Sequence, residues 1–185
     1  MKKGNLYVIS GPSGVGKDTI INEYLKNNEG ILSISGTTRE PRIGEVDKKD
    51  YYFLSTDTFE KWIKEDNFLE YAKYNNNYYG TPKSLVEENL KKGVNVFLII
   101  EVQGALQIKE KIKDSILIFI MPPSLDELKK RLINRNTDSK EMIENRLKIA
   151  EKEIDLSSKY DYIITNNKIN TSVEKLKMII DNKKN

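Results

Sequence analysis

Residues 11–17, Gly-Pro-Ser-Gly-Val-Gly-Lys, constrain the local fold and the chemistry of this chain more than any other segment. An apolar run at 6–9 precedes them, and apolar residues at helical spacing follow at 20–25. This order predicts a strand, a glycine-rich loop and a helix, so that backbone N–H groups and the positive end of the helix dipole converge on one anion. The ammonium group of Lys17 is placed to reach the outer phosphates of a nucleotide. The segment therefore predicts a nucleotide-binding protein.

The composition is typical of one soluble globular domain. The chain has 185 residues, of which 38% are hydrophobic and 32% are charged. Its net charge of +3 gives no reason to expect a nucleic-acid or membrane partner. The apolar run near the start is too short for a signal peptide, and no apolar stretch has the length of a membrane span. We therefore expect a cytoplasmic protein.

Cysteine and histidine are both absent from the sequence. Their absence excludes disulfides, thiol nucleophiles, imidazole bases and the usual zinc sites. The chemistry is left to carboxylates, lysine, arginine, hydroxyls, backbone amides and a hard cation such as Mg²⁺ bound through oxygen. Phosphoryl transfer between two phosphates fits this limit, because the acceptor oxygen is already anionic and needs no base.

Arginine is rare in this chain and is grouped. Only five of the 31 basic residues are arginine, and they are Arg39 and Arg42, followed by Arg131, Arg135 and Arg146. The planar guanidinium group suits phosphate oxygens better than the ammonium group of lysine. Two groups of arginine in a chain that otherwise uses lysine predict two phosphate-handling segments.

Apolar runs alternate with segments of helical periodicity along most of the chain. Strands are predicted at 6–10, 31–34, 51–53, 68–74, 94–100, 116–121 and 162–165, and helices at 17–26, 58–64, 83–92, 106–112, 125–133, 140–156 and 171–181. Ser124 and Thr171 match N-cap positions that have an acid three residues later. The pattern predicts an α/β fold with a parallel sheet, interrupted at 35–82 by an insertion with its own small sheet.

Longer motifs occur at 11–17, 35–51, 68–71, 77–82, 101–104, 121–125 and 160–166. Together with the arginine series, they make the chain resemble the guanylate kinase family, whose members phosphorylate GMP with ATP. The segment 35–51, which begins Ser-Gly-Thr-Thr-Arg-Glu-Pro-Arg, is far more specific for that family than the phosphate loop. The similarity extends from the first strand to about Asn167.

The resemblance implies a parallel-sheet P-loop NTPase core of the nucleoside monophosphate kinase type, in a single domain spanning 1–185. The core would comprise 1–34, 82–125 and 151–185, with a GMP-binding segment at 35–81 and a helical lid at 126–150. ATP and GMP would be the substrates, with Mg²⁺ accompanying ATP. The resemblance also implies dGMP as a second phosphate acceptor. The sequence leaves open whether the chain forms a homodimer.

The same resemblance implies the residues that bind GMP. Its phosphate would be held by Arg39, Arg42, Tyr51 and Tyr79, with Glu45 orienting Arg42. Its guanine would face Ser35, Glu70, Thr81 and Glu101. Guanine donates hydrogen bonds from N1–H and from its 2-amino group, and carboxylates are strong acceptors. Adenine lacks both donors, so a pocket built on carboxylates rejects it.

On the ATP side, the resemblance implies binding by the loop and the start of the helix, namely Gly11, Pro12, Ser13, Gly14, Val15, Gly16, Lys17, Asp18 and Thr19. The catalytic charges would be Lys17, Arg39, Arg131, Arg135 and Arg146. Arg131 and Arg135 lie four residues apart and share a helix face, and their closure over ATP would exclude water. Arg135 and Asn166 would contact the adenine region.

Two positions depart from the usual pattern, and both concern Mg²⁺. The general motif has Ser or Thr after the lysine, where this chain has Asp18 followed by Thr19. Many family members have an acidic residue two positions before that of Glu101, where this chain has Ile99. The way in which Mg²⁺ is held therefore stays open, with Thr19 or Asp18 as candidate ligands acting through water.

Two other hypotheses stay open at this point. A scaffold domain of the same shape would bind phosphopeptides without catalysis, but such domains typically lose the ATP loop, which is intact here with Lys17. The second hypothesis is a kinase that phosphorylates a different nucleoside monophosphate. The pair Glu70 and Glu101 argues against adenine as the base of that substrate.

Overall fold

The structure is a computed structural model, and it describes residues 3–74, 76–134 and 139–184. The strands are β1 (Leu6–Ser10), β2 (Ile31–Leu32), β3 (Gly36–Thr37), β4 (Tyr52–Phe53), β5 (Phe68–Tyr74), β6 (Asn77–Pro82), β7 (Val96–Ile99), β8 (Ile116–Met121) and β9 (Tyr162–Thr165). The helices are α1 (Lys17–Leu25), α2 (Thr56–Lys64), α3 (Lys83–Lys91), α4 (Val102–Lys111), α5 (Leu125–Asn134), α6 (Lys140–Asp155) and α7 (Ile169–Lys184), and a 3-10 helix (Leu156–Lys159) follows α6.

One sheet has five strands in the order β2-β7-β1-β8-β9, and its pairs β2–β7 and β8–β9 are parallel. All five residues of β1 are buried, as are the first five of β8 and the first three of β7. Strands covered on both faces read as continuous apolar runs rather than as alternating ones. The predicted α/β fold with a parallel sheet is therefore confirmed.

A second sheet has four strands in the order β4-β3-β6-β5, with β3–β6 and β5–β6 antiparallel. It confirms the predicted small sheet within 35–82, although the prediction omitted β3 and β6. The strand β3 is only two residues long, and β6 contains Gly80 and Pro82, which are both depleted in strands. Between Phe68 and Tyr71 the register of β5 shifts, as in a β-bulge.

The helices begin and end close to the predicted positions, with two informative differences. The predicted N-cap at Ser124 is confirmed, because its hydroxyl accepts a hydrogen bond from the Glu127 amide at 3.1 Å. The predicted N-cap at Thr171 is wrong, because α7 begins two residues earlier, at Ile169. The helix α4 also begins earlier than predicted, at Val102, and includes Gly104 in its first turn. No helix in the described ranges is both long and apolar enough to span a membrane.

The chain forms two compact units. The first unit comprises Met1–Tyr7, Gly30–Leu98 and Gln103–Ser115, and the second unit comprises Val8–Glu29, Ile99–Val102 and Ile116–Asn185. Aromatic stacking is prominent in the first unit, where the ring centres of Phe59 and Phe68 lie 4.2 Å apart. The core of the second unit includes the apolar face of α1, which packs against α7.

Candidate active site

In the second unit, residues 11–16 form a tight loop between β1 and α1. The backbone φ angles of Gly11 and Gly16 are 139° and 99°, in a region that residues with a Cβ rarely adopt. A Cβ on Gly11 would lie 2.3 Å from the carbonyl oxygen of Ile120, so the neighbouring backbone also requires glycine there. Because α1 starts directly after Gly16, the N–H groups of its first turn lie at the loop, where they suit an anion, as the sequence predicts.

The ammonium group of Lys17 is held at this loop. Its Nζ donates to the carbonyl oxygens of Gly11 at 2.5 Å and Pro12 at 3.2 Å. Both acceptors belong to the loop itself, so the positive charge lies at the anion-binding end of α1. This position agrees with the predicted role of Lys17 at the phosphates of a nucleotide.

Asn166, which follows β9, supports the loop through a hydrogen bond to its backbone. Its side chain is 2% exposed, its Nδ2 donates to the carbonyl oxygen of Val15 at 2.8 Å, and its Oδ1 accepts from the Ser172 hydroxyl at 2.9 Å. The resemblance implied an adenine contact for Asn166, and that role stays a prediction. In the structure, the side chain lies between the loop and α7.

Of the predicted lid arginines, Arg146 contacts the loop directly and Arg131 contacts Asn166, which supports it. Arg146, on α6, donates from Nη1 to the Ser13 hydroxyl at 2.6 Å. Arg131, on α5, donates from Nη2 to the carbonyl oxygen of Asn166 at 3.0 Å, and its Nε lies 3.5 Å from the Glu127 carboxylate. The structure therefore brings Arg131, Arg146 and the loop together in one unit. Arg135 lies outside the described residues.

An acidic pair next to Lys17 was missed by the sequence analysis. Glu153 lies close enough to Glu101 to share a hydrogen bond, and burial together with the charge of Glu101 raises its pKa to about 7, although Lys17 opposes the shift. Burial, with the charges of both carboxylates, also raises the pKa of Tyr160 to about 12. A signal for Glu153 exists, because it follows Arg146 by seven residues and so shares its face of α6.

The raised pKa of Glu153 predicts a pH-dependent stability. A carboxyl that binds its proton more tightly when folded stabilises the fold at low pH and loses that contribution as pH rises through about 7. Glu153→Gln is therefore expected to unfold at a higher temperature than the parent at pH 8. The expected gain is about 2–4 °C, or about 1 kcal/mol after allowance for solvent screening of a partly exposed group.

Thermal melts of the full chain from pH 5 to pH 8 measure this effect. The substitution Glu151→Gln, at an exposed position of the same helix, is the matched control and should leave the pH profile of the parent unchanged. A Glu153→Gln profile that runs parallel to that of the parent over this range would contradict the prediction.

In the first unit, Arg39 lies in a cluster of predicted phosphate-binding side chains. Its Nη2 donates to the Glu45 carboxylate at 2.9 Å, and its guanidinium carbon lies 5.4 Å from the ring centre of Tyr51 and 5.7 Å from that of Phe53. The hydrogen bond with Glu45 raises the pKa of Arg39 above its ordinary value, with a smaller contribution from Tyr79. A charged, oriented guanidinium group is thus in place to bind a phosphate.

Glu45 differs from the expectation in the group that it orients. The resemblance implied Arg42 as its partner, but the structure pairs the Glu45 side chain with the side chain of Arg39. Arg42 contributes only its backbone amide, which donates to the second Glu45 oxygen at 2.7 Å, while its side chain is exposed. These two hydrogen bonds, with that of Arg39 the larger cause, lower the pKa of Glu45.

The predicted guanine-reading carboxylate of Glu70 is buried in the same unit. Glu70 is 5% exposed, and its Oε1 accepts a hydrogen bond from the Thr81 hydroxyl at 2.7 Å. The register shift in β5 leaves Leu69 and Glu70 together opposite Thr81 of β6. Such a bulge redirects a side chain, and bulges are frequent beside active sites. Ser35, the other predicted hydroxyl, is half-buried and directly precedes β3.

A family model described as guanylate kinase matches residues 3–183. The chain belongs to the guanylate kinase family. The guanylate kinase of Clostridium tetani is 54% identical over 184 residues, which cover 100% of this chain and 88% of the relative. That of Oceanobacillus iheyensis is 51% identical over 180 residues, covering 97% of this chain and 87% of the relative.

A crystal structure of the guanylate kinase from Anaplasma phagocytophilum has the same fold as this chain. The two superpose with a TM-score of 0.81 at 34% sequence identity, over 99% of this chain and 87% of the other. This chain is a phosphotransferase, and its activity is the ATP-dependent phosphorylation of GMP to GDP.

The predicted site residues of this chain fall into two groups. The described residues predicted for ATP and for the lid lie in the second unit, where Arg131, Arg146 and Asn166 make the contacts around the loop. Those predicted for the GMP phosphate, together with Glu70 and Thr81, lie in the first unit. Glu101 is the exception, because it is a predicted guanine contact in the second unit, where it lies beside Glu153.

Proposed function

We propose that the second unit binds the phosphates of ATP through residues 11–19, and that the first unit binds GMP. The observation that supports this proposal most is the attachment of two lid arginines, Arg131 and Arg146, to the loop. Arg146 contacts Ser13 directly, and Arg131 contacts it through Asn166. Three cationic side chains, counting Lys17, are thereby associated with one anion-binding loop.

The transfer needs little from the protein beyond position and charge. A phosphate oxygen of GMP attacks the γ-phosphorus of ATP, a new P–O bond forms, and the bond to the β–γ bridging oxygen breaks to release ADP. The acceptor oxygen carries a negative charge, so no general base is required. Lys17, Arg131 and Arg146 stabilise the charge that spreads over the transferring group, and they need no rearrangement of solvent to do so.

Arg39 binds the phosphate of GMP. Its ion pair with Glu45 and its place over Tyr51 hold the guanidinium group in one orientation before substrate arrives. Orientation in advance reduces the entropy that binding must remove. Tyr79, whose ring centre lies 6.3 Å from that of Tyr51, closes the same cluster, and the exposed Arg42 adds a second guanidinium group.

Glu70 reads the guanine base. A carboxylate that is buried and anchored by Thr81 can accept hydrogen bonds from N1–H and the 2-amino group, and it meets no donor at that edge of adenine. Because the Thr81 hydroxyl already donates to Glu70, Thr81 acts on the base through the carboxylate. Ser35 stays the candidate donor to the guanine O6, and Glu101 a second candidate acceptor.

Magnesium fits this site as a companion of ATP. No cluster of three or more acidic residues that would hold a metal occurs in the described part of the chain. Mg²⁺ is typically bound by substrate phosphates, water and one or two protein oxygens, so such a cluster is not needed. Asp18 and Thr19, both exposed in the first turn of α1, would hold it, the former through water. When bound, the ion neutralises phosphate charge.

The enzyme acts in purine nucleotide metabolism, and we propose the cytoplasm, where ATP and nucleoside monophosphates are available, as its compartment. No contact proposed for Glu70, Thr81 or Arg39 involves the ribose 2′-hydroxyl. We therefore expect dGMP to be phosphorylated as well as GMP.

A comparison of acceptors tests the proposed function. The full chain, with ATP and Mg²⁺, is assayed by coupled detection of ADP with GMP, dGMP, AMP, UMP and dTMP. GMP and dGMP should be accepted, and kcat/KM for AMP should be lower by about 10⁴-fold, as expected when a buried acceptor loses its donor. Comparable rates with AMP or with a pyrimidine nucleotide would contradict the assignment of Glu70.

A further inference from the structure

We propose that Gly104, on α4, is a positioning residue for base recognition, because the space left by its missing side chain is occupied by the carboxylate of Glu70. The inference rests on the proposed role of Glu70 and extends it to a residue that contacts no substrate. Gly104 and Glu70 belong to the same unit.

The distances are specific to the charged end of the Glu70 side chain. A Cβ built on Gly104 would lie 2.7 Å from Oε2 of Glu70, 3.2 Å from its Cδ and 3.5 Å from its Cγ. Real Cβ atoms do not approach other heavy atoms to 2.7 Å, so any larger residue at 104 displaces the carboxylate. The opposite oxygen, Oε1, is fixed by the Thr81 hydroxyl at 2.7 Å. The carboxylate is thus confined between a hydrogen-bond donor on β6 and the bare backbone of α4.

The helix that carries Gly104 is itself attached to the strand that carries Glu70. Near the end of α4, the Nζ of Lys111 donates to the carbonyl oxygen of Leu69 at 2.8 Å. Leu69 directly precedes Glu70 within the register shift of β5. Since α4 and β5 are joined at this point, the position of Gly104 relative to the carboxylate is set by the fold.

Conformation gives no separate reason for glycine at this position. The φ angle of Gly104 is not among the positive values found for glycines in this chain, and the residue lies in the first turn of a regular helix. Alanine is the better helix former. A glycine that is buried, helical and in reach of a charged group is therefore explained by the space that Glu70 requires.

The test is Gly104→Ala in the full chain. We expect KM for GMP to rise at least about tenfold, because a displaced carboxylate loses a charge-assisted hydrogen bond to the base. The KM for ATP should change less than twofold, and the melting temperature should not fall. The control Glu110→Ala adds an alanine at an exposed position of α4 and should behave as the parent.

A double-mutant cycle separates the inference from the proposed function on which it rests. In a Glu70→Ala background there is no carboxylate to displace, so Gly104→Ala should have no further effect on KM for GMP. An equal loss in both backgrounds, or a parallel loss for ATP, would overturn the positioning role while leaving that of Glu70 intact. If Glu70→Ala left KM for GMP unchanged, the proposed function of Glu70 would fall and the inference with it.

Discussion

Replacing Lys17 by alanine is expected to lower kcat by at least about 100-fold, with a smaller effect on KM for GMP. The loss is that of one preorganised charge-stabilising donor at the transferring phosphoryl group. Hydrogen bonds to the carbonyl oxygens of Gly11 and Pro12 hold the ammonium group at the loop. Its removal therefore takes away a positive charge that the fold has already positioned. Steady-state kinetics with saturating ATP, GMP and Mg²⁺ measure the change.

The matched control for this substitution is Lys26→Ala, at the other end of α1. Its side chain is exposed and pairs only with Glu23 of the same helix among its described ion pairs. Such pairs contribute little, so activity should be unchanged. A Lys17→Ala enzyme with near-normal kcat, or a control with an equal loss, would show that the ammonium group has no special part in the reaction.

Glu70→Gln should raise KM for GMP by about 10- to 100-fold and leave KM for ATP nearly unchanged. Glutamine preserves the size of the side chain and its ability to accept from Thr81, but it replaces a charged acceptor by a neutral amide. The preference for GMP over AMP should narrow in parallel, because the amide can donate to the bare N1 of adenine.

Kinetics with both acceptors, and equilibrium titration of each nucleotide, measure this effect. The control Glu88→Gln makes the same change at an exposed position of α3, in the same unit. Equal losses of affinity for GMP and ATP would indicate a general disturbance, and would count against a carboxylate that reads the base.

The phosphate loop could be predicted because its signals are local. Three glycines, a lysine and the change from a continuous apolar run to helical periodicity occur within a few residues of one another, and each specifies the same backbone path. The structure shows a further reason for glycine at position 11, because a Cβ there would collide with the carbonyl oxygen of Ile120 on another strand. That contact joins residues distant in sequence, so local patterns carry no sign of it.

Two strands of the small sheet, β4 and β5, were predicted from the sequence, and two, β3 and β6, were missed. Gly80 and Pro82 indicate a turn when read alone, yet they belong to β6, whose pairing with β3 and β5 stabilises it. Tertiary pairing overrides a weak local preference in such strands. The same dependence on tertiary contacts explains why the partner of Glu45 was misassigned, since Arg39 and Arg42 are both close to it in sequence.

The supporting residues of the site were the hardest to predict. Asn166 resembled a ligand of adenine, and only the fold shows that its amide donates to the carbonyl of Val15. Gly104 belongs to the motif at 101–104 but was given no role, because the group that requires it, Glu70, lies more than thirty residues away along the chain. Residues that act through another side chain leave a signal in the structure and little in the sequence.

The central claim is that a phosphoryl group passes directly from ATP to GMP. A phosphorus NMR time course of the full chain with ATP, GMP and Mg²⁺ tests this claim most directly. The account predicts that the GMP and ATP γ-phosphate signals fall at equal rates, that GDP and ADP appear in equal amounts, and that inorganic phosphate does not accumulate during turnover. Release of inorganic phosphate without GDP, or no change in the GMP signal, would contradict it.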